Sequence, residues 1–261
     1  MSYSAFKATE SVSETLGAAE YNRQRLRPDP SDRYYIHLSD VRLFLSTYEG
    51  GSYDTVLDYG CGGSPYRELF KAVRYLRADY VDCGNLDCII GADAKLAIPD
   101  LSCDMVLSTQ VLEHVALPQS YLKEAWRVLK PGGKLILTTH GIWEEHGCPY
   151  DFRRWTADGL RQELETAGFQ VNKVSKLTTG SRAILCLFAE NLGSLHASKF
   201  SLLGWAFSLL KRSAFGNPAS RHRWMDRNFA DARMQDANVP HHGLYLALGA
   251  EAVKPSAKAV S

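Results

Sequence analysis

Apolar positions recur along this chain with two periods. In HLSDVRLFLSTY (37–48), Leu38, Val41, Leu45 and Tyr48 share one face with Phe44 beside them, which predicts a helix that GGSYD then breaks. TVLDYG (55–60) reads as a buried strand, PYRELFKAV (65–73) as a helix and RYLRADYV (74–81) as a second strand. CIIGAD (88–93) predicts a third strand and CDMVLSTQ (103–110) a fourth. PQSYLKEAWRVLK (118–130) places Leu122, Ala125, Trp126 and Leu129 on one helical face, and PGG at 131–133 stops it. KLILTTH (134–140) is a fifth strand, TADGLRQELETAGF (156–169) a helix and VNKVSKL (171–177) a sixth strand. One or two inserted helices over 182–212 interrupt the rhythm before a last strand, GLYLALGAEAV (243–253).

Strands alternating with helices at this spacing imply a parallel α/β sheet covered on both faces. The expected divisions are an N-terminal helical cap (1–50), a ligand-binding core (51–181), a helical insertion (182–242) and a last strand with tail (243–261).

The stretch VLDYGCGGSPY (56–66) puts three glycines within four positions directly after the first strand. In an open parallel sheet, ligands bind beyond the carboxyl ends of the strands, and glycine there permits close approach and positive φ. Gly60-x-Gly62 begins a dinucleotide fingerprint, but Pro65 stands where its third glycine belongs. A tight turn with no ligand is the plain alternative.

Three acids favour a ligand. Asp58 precedes the turn, where a carboxylate accepts from an ammonium. Asp79, 21 residues on, ends the second strand, the place for binding a ribose diol. Asp93 ends the third, where it can accept from an exocyclic amino group. A nucleoside with a cationic amino-acid tail satisfies all three, whereas a pyrophosphate is repelled by Asp58.

VLDYGCGGSPY, RADY, GADAKLAIPDLSCDMVLSTQVLEHV and WRVLKPGGKLIL, in that order, resemble the class I S-adenosylmethionine-dependent methyltransferases. The resemblance covers residues 52–177 and is nearest to a small-molecule branch with D-x-G-C-G and V-L-E-H motifs. It implies a Rossmann-like doubly wound sheet of seven strands, the last antiparallel, and S-adenosylmethionine as cofactor, with S-adenosylhomocysteine as product. Asp58, Gly60 and Gly62 would hold the methionine part and Asp79 the ribose hydroxyls, with Tyr80 on the adenine. Asp93 would accept from the adenine amino group, Ala94 would donate its backbone N–H, and Gln110 and Val111 would line the sulfonium side. The departure from the family pattern is Ser64-Pro65 in the turn itself.

Methyl transfer needs donor and acceptor held in line, and a hydroxyl acceptor also needs a base. His114 follows strand 4, facing the cleft or capping the next helix. His140 ends strand 5 and opens HGIWEEHGCPYDFRRWT (140–156), which reads as an acceptor-binding lid. There Asp151 would orient a hydroxyl and Arg153 or Arg154 bind an anion. The alternative is that PYDFRRWT only builds the start of the next helix, with Thr156 as N-cap. The expected reaction is O-methylation of a small-molecule or glycan-like acceptor. The alternatives are an RNA or protein methyltransferase, or a non-catalytic binding module.

Composition narrows little further. Of 261 residues, 45% are hydrophobic and 23% charged, and the net charge of +1 gives no general pull toward nucleic acid. Nor does STQVLEHV match the N/D-P-P-Y type motif of enzymes that methylate adenine in DNA. An RNA partner would have to dock on the local clusters Arg23, Arg25, Arg27, Arg33 or Arg221, Arg223, Arg227, Arg233, which read more simply as solvated surface. Six cysteines without a C-x-x-C pair read as reduced thiols, Cys61 among them as a packing residue. With no apolar leader core in MSYSAFKATESV, the expected location is the cytoplasm. His140, His146 and Cys148 lack a convincing fourth ligand, so no metal is expected. SKFSLLGWAFSLLKR (198–212) reads as a cap over the core, a homodimer face or a weak membrane-surface contact.

Overall fold

The computed structural model describes residues 17–82, 85–147, 150–191, 209, 216–239 and 243–256. Two helices come first, α1 (Ala18–Leu26) and α2 (Tyr35–Ser46). Strands β1 (Ser52–Tyr59), β2 (Lys71–Asp79), β3 (Cys88–Ile89) and β4 (Cys103–Thr109) follow. Then come α3 (Pro118–Val128), β5 (Leu129–His140), α4 (Ala157–Thr166) and β6 (Gln170–Thr179). The described chain closes with α5 (Gly180–Asn191), α6 (Pro218–Asn228), β7 (Met234–Asp236) and β8 (Tyr245–Val253).

The strands form one eight-stranded sheet in the order β3-β2-β1-β4-β5-β8-β6-β7. Strands β1 to β5 pair in parallel, and β8 runs antiparallel between β5 and β6, as expected of the last strand. The sheet has one strand more than expected because Met234–Asp236 adds an antiparallel edge to β6 inside the predicted insertion. The segment 198–212 lies outside the described residues except for Leu209.

Successive strand residues serve opposite faces. Leu57, Val106, Leu135 and Leu137 join the core under α3 and α4, with Tyr121, Leu122, Leu160 and Leu164. Val56, Met105, Leu107 and Ile136 join the core under α2, with Val41, Phe44 and Leu45. Double-sided burial explains why these strands read as continuous apolar runs rather than alternating ones. Helix α2 lies so close to the sheet that a Cβ on Gly249 would stand 2.7 Å from the Phe44 ring.

The expected helix over 65–73 is absent. Its place is taken by one 3₁₀ turn, Arg67–Leu69, and β2 begins at Lys71 rather than at 74. Ser52 of β1 already pairs with Lys71, so KAV (71–73) is drawn into the strand and too few residues remain for a helix. Tyr66, Leu69 and Phe70 instead pack their side chains into the core under α2. The third strand shrinks to Cys88–Ile89, because Gly91 and Ala94 close a turn directly after it. Thr156 is the N-cap of α4, accepting from the Gly159 N–H at 3.1 Å. The fifth strand starts at Leu129 and carries PGG inside an irregular first stretch.

One carboxylate ties the cap helix to the rest. Asp40 of α2 is fully buried and accepts from Arg182 Nε at 2.8 Å and Nη2 at 3.0 Å, Arg233 Nε at 2.7 Å and Thr178 Oγ1 at 2.8 Å. Arg182, itself fully buried, also donates to Asp226 Oδ1 at 2.9 Å, and Tyr35 donates to Asp226 Oδ2 at 2.6 Å. Several arginine-cluster members are likewise engaged within the fold, Arg233 by Asp40, Arg23 by Glu20 and Asp32, Arg27 by Glu68 and Arg33 by Glu190, and Arg221 is buried. Asp40→Asn takes from the fully buried Arg182 guanidinium its buried counter-charge and leaves it only the partly exposed Asp226. We expect it to cost about 3–5 kcal/mol in urea unfolding, with most of the loss recovered in Asp40→Asn/Arg182→Met.

Candidate active site

Several residues at the carboxyl edge of the sheet hold left-handed backbone angles. Gly60 and Gly62 after β1, Ala94 after β3 and Gln110 after β4 have φ of 79°, 49°, 67° and 54°. Ser64, beside Pro65, adopts φ 53°. Non-glycine residues hold such angles only where their surroundings impose them, and such positions concentrate at functional sites.

Glycine is required at position 60 for a second reason. A Cβ there would stand 2.6 Å from Val111 Cγ1, so the turn presses directly against the loop after β4. Position 62 is open instead, with only the Tyr21 hydroxyl of α1 within 4 Å, at 3.8 Å. Helix α1 lies over the turn and Asn22 donates to Gly63 O at 2.9 Å. With no helix after the turn, the ring of free N–H groups that cradles a pyrophosphate is missing. The turn is braced by side chains. Asp79 Oδ2 accepts from the Gly62 N–H at 2.7 Å, and Arg77 Nε donates to Ser64 Oγ at 2.9 Å.

Asp58 is 2% exposed, and Tyr75 donates to its Oδ2 at 2.8 Å. Burial pushes its carboxyl up to about 7, against the hydrogen bonds from Tyr75 and Ser64. Asp79 Oδ1 accepts from the Tyr80 N–H at 2.7 Å, and a carboxylate with one bond to each oxygen retains lone pairs for two hydroxyls. Tyr80 is 47% exposed beside it. Asp93 is exposed on its turn. The Ala94 N–H, expected to donate to a ligand, donates instead to Gly91 O at 2.9 Å. Both side-chain amide atoms of Gln110 are buried without a hydrogen-bond partner, and so is Asn22 Oδ1. Buried polar atoms in that condition are costly, and polar ligand atoms would relieve them. Cys61 is buried in the turn, its thiol pushed up to about 12 by burial, which fits a packing role.

A cluster of imidazoles and acids adjoins this cleft. Glu113 and His114 lie in the 3₁₀ turn Leu112–His114, directly after Val111. Glu113 is fully buried, its Oε2 accepts from Thr139 Oγ1 at 2.8 Å, and burial pushes its carboxyl up to about 7. His114 is partly exposed, with Nδ1 2.6 Å from Tyr150 O. His140 is 3% exposed and held neutral by burial, its pKa well below the usual imidazole value. Its ring packs against His37 of α2 at 5.0 Å and Trp143 at 5.3 Å between centroids. His140 therefore lies beneath the cluster rather than at its mouth.

Asp151 departs from its expected role of orienting an acceptor hydroxyl. Arg154 donates to it through Nη1 at 2.5 Å and Nη2 at 2.6 Å, and the His146 N–H donates at 2.9 Å. Burial would raise its carboxyl, but these donors overcome it and hold the pKa at about 2. Arg154 also donates to Glu144 O and Arg153 to Val115 O, so both arginines build the loop from within. The loop is further fixed where the Phe152 and Trp155 N–H groups donate to Glu113 O and His140 O, at 2.8 and 3.0 Å. Sequence reasoning missed His37 and Tyr75 as members of this edge, named Glu113 only as the neighbour of His114, and weighed His146 only as a metal ligand. The available signal was a histidine on the apolar face of a helix and an acid beside a histidine already singled out.

Residues 57–137 match the family model of a methyltransferase domain. The chain is 33% identical over 133 residues to a probable S-adenosylmethionine-dependent methyltransferase of Mycolicibacterium smegmatis, covering 44% of this chain and 52% of that protein. It is 27% identical over 131 residues to a ubiquinone biosynthesis O-methyltransferase of Idiomarina loihiensis, covering 43% and 54%. The chain thus spans about half the length of these curated relatives. The fold is similar, at a TM-score of 0.51 and 16% identity, to a Haemonchus contortus phosphoethanolamine N-methyltransferase solved with S-adenosyl-L-methionine, covering 94% of this chain and 58% of that one.

The buried Asp58 gives a test with a definite sign. The folded chain keeps that proton up to about pH 7, whereas the unfolded chain releases it near ~3.9. The native state then binds more protons in that window, so stability falls as pH rises through it. Asp58→Asn should flatten the fall in urea midpoint between about pH 5 and about pH 7.5. An equally steep fall in the variant would show that Asp58 stays ionised throughout.

Proposed function

We propose that this chain is a class I S-adenosylmethionine-dependent methyltransferase, as the match of residues 57–137 to the methyltransferase-domain model and the similarity to the Mycolicibacterium relative support, and that it transfers a methyl group to a small-molecule acceptor, at oxygen. The observation that carries this reading is the contact of Gly60 with Val111, which sets the glycine turn against the loop that bears Glu113 and His114. Cofactor cleft and titratable cluster are therefore walls of one site.

When bound, S-adenosylmethionine supplies a methyl carbon activated by a positive sulfur. Asp79 would hold the ribose hydroxyls, and Asp93 and Tyr80 the adenine. The unpartnered amide of Gln110 and the acid beneath the turn, Asp58, suit the polar amino-acid end. Pyrophosphate cofactors suit this edge poorly, because acids crowd it and, among the described residues, only a 3₁₀ turn and no α-helix follows the glycine turn.

The chain's own work is alignment and proton removal. His114 has its Nδ1 on the Tyr150 carbonyl, which fixes the proton there and leaves a lone pair on Nε2. A neutral, partly exposed imidazole in that tautomer is suited to take a hydroxyl proton or to hold the acceptor oxygen. Buried His140 and the Arg154-bound Asp151 are suited to positioning instead. Tyr150 and Phe152, 41% and 46% exposed with ring centroids 5.6 Å apart, offer an apolar surface beside His114. That surface favours an acceptor with an aromatic or other apolar body over a wholly polar glycan. The O-methyltransferase activity in the name of the Idiomarina relative supports the choice of oxygen. Among the described residues no helix is long and apolar enough to cross a membrane.

Titration calorimetry with S-adenosylmethionine and S-adenosylhomocysteine tests the cofactor. Two charge-assisted hydrogen bonds at about 1.5–3 kcal/mol each make Asp79→Ala lose roughly 100-fold or more in affinity. Unchanged binding in Asp79→Ala would refute the ribose assignment. His114→Ala should lower kcat by about 10²–10⁴ toward a phenolic acceptor while sparing S-adenosylhomocysteine affinity. Full turnover in that variant removes His114 from the chemistry.

A further inference from the structure

The electrostatics of the Glu113 cluster do not close with protein atoms alone. Glu113 Oε1 is buried and has no hydrogen-bond partner. Two imidazole nitrogens face it, His140 Nε2 at 3.5 Å and His114 Nε2 at 4.0 Å, both beyond useful hydrogen-bond length. His114 keeps its proton on Nδ1 against Tyr150 O, so Nε2 presents a lone pair toward that carboxylate oxygen. His146 has Nδ1 3.1 Å from Glu144 O and 3.4 Å from Asp151 Oδ2, which fixes its proton on the same side of the ring. Its Nε2 is likewise left as an acceptor. The rings of His114 and His146 meet edge to face at 5.0 Å.

Three acceptors thus converge. Glu113, His114 and His146 each offer one donor atom to a common point, and these atoms lie within 4.8 Å of one another. A single proton can sit between the carboxylate and one imidazole. It cannot serve the second imidazole as well. A divalent cation serves all three, and an edge of about 3.4 Å, that of a tetrahedral site with Zn–N near 2.05 Å, needs only small side-chain shifts.

We propose that Glu113, His114 and His146 form a binding site for a divalent first-row transition metal of the zinc class, with one coordination position left for water or an acceptor atom. The second layer is already built. Tyr150 O orients one imidazole, Glu144 O and the Arg154-bound Asp151 orient the other, and Thr139 Oγ1 holds the second oxygen of Glu113. Histidine ligands whose other ring nitrogen donates to a carbonyl or carboxylate are the usual pattern of such sites. Two imidazoles and one carboxylate select zinc, cobalt or nickel over calcium or magnesium, which favour all-oxygen sites. Cys148 was the ligand considered from the sequence; it lies outside the described residues, and the carboxylate contributed by Glu113 takes its place.

With a cation bound, His114 Nε2 holds the metal in place of a proton, so this proposal replaces His114 as the free base of the proposed reaction, and it is tested by metal binding alone. The test is titration of the chelator-stripped full chain with Co²⁺, read by visible absorption, followed by displacement with Zn²⁺. We expect one equivalent to bind, with d–d bands of a four- or five-coordinate N,O site. His146→Ala and Glu113→Gln should each weaken binding at least 10-fold. S-adenosylhomocysteine affinity, measured on the same samples, should be unchanged, which separates loss of a ligand from loss of the fold. If Glu113→Gln does not fold, His146→Ala, on the outer loop, carries the test. Absence of stoichiometric Co²⁺ or Zn²⁺ on a chain that still binds S-adenosylhomocysteine overturns the proposal. So does affinity unchanged in His146→Ala, which would assign the metal to other histidines.

Discussion

The burial of one carboxylate, Asp40, governs how the upper half of this molecule is held. A charge fully removed from water is tolerable only with partners around it, and Asp40 has two arginines and a threonine from three separate stretches of chain. That requirement fixes the position of α2 against β6, α5 and the segment after α6. It also fixes what α2 carries. His37 lies three residues before Asp40, on a neighbouring part of the same helix face, and its ring stacks on His140 and Trp143. Burial lowers its pKa to about 3, so the stack stays uncharged. The imidazole of His140 is thereby locked at the back of the cluster, with Glu113 and His146 arranged in front.

The glycine turn shows the same economy of constraint on the other side of the cleft. A Rossmann-type crossover ordinarily places a helix after the turn, and the helix N-terminus both braces the loop and attracts anions. Here the crossover is too short for a helix, and side chains take over the bracing through Asp79, Arg77 and Asn22. Removing the helix removes its positive pole. Acids around the opening then repel phosphates and favour a cationic ligand, so the loss of one structural element sharpens ligand selection.

Much of this was legible in the sequence, for reasons that differ by element. The strands β1, β4 and β5 were clear because burial on both faces makes them continuous apolar runs between glycine and proline punctuation. Thr156 was clear as an N-cap because capping is local chemistry. The helix expected over 65–73 failed because its apolar spacing also suits a strand that begins at Lys71, and only the register with β1 decides between them. β7 was invisible, since three residues carry no period. Spacing placed Asp58, Asp79 and Asp93 at strand ends, and the structure sets the first two in the last residues of β1 and β2 and the third in the turn after β3. Glu113 could not be weighed, because burial rather than composition turns it from a helix-start acid into a charge in search of a partner.

Asp151 illustrates why the loop chemistry was misjudged. In sequence it is an acid among aromatic residues on an apparent lid, which suggests contact with a ligand. In the fold it forms a two-pronged pair with Arg154, three residues on, and accepts the backbone N–H of His146. A carboxylate held at a pKa of about 2 by a guanidinium is a poor base, but it is a strong fixed anchor. The catalytic appearance of PYDFRRW thus comes from residues whose work is to hold His146 and Tyr150 at the mouth. His114 and His146 keep an unshared ring lone pair and some access to solvent, and each turns its Nδ1 toward a carbonyl of the loop. Orientation, more than residue type, separates the residues that build this loop from the residues that can react in it.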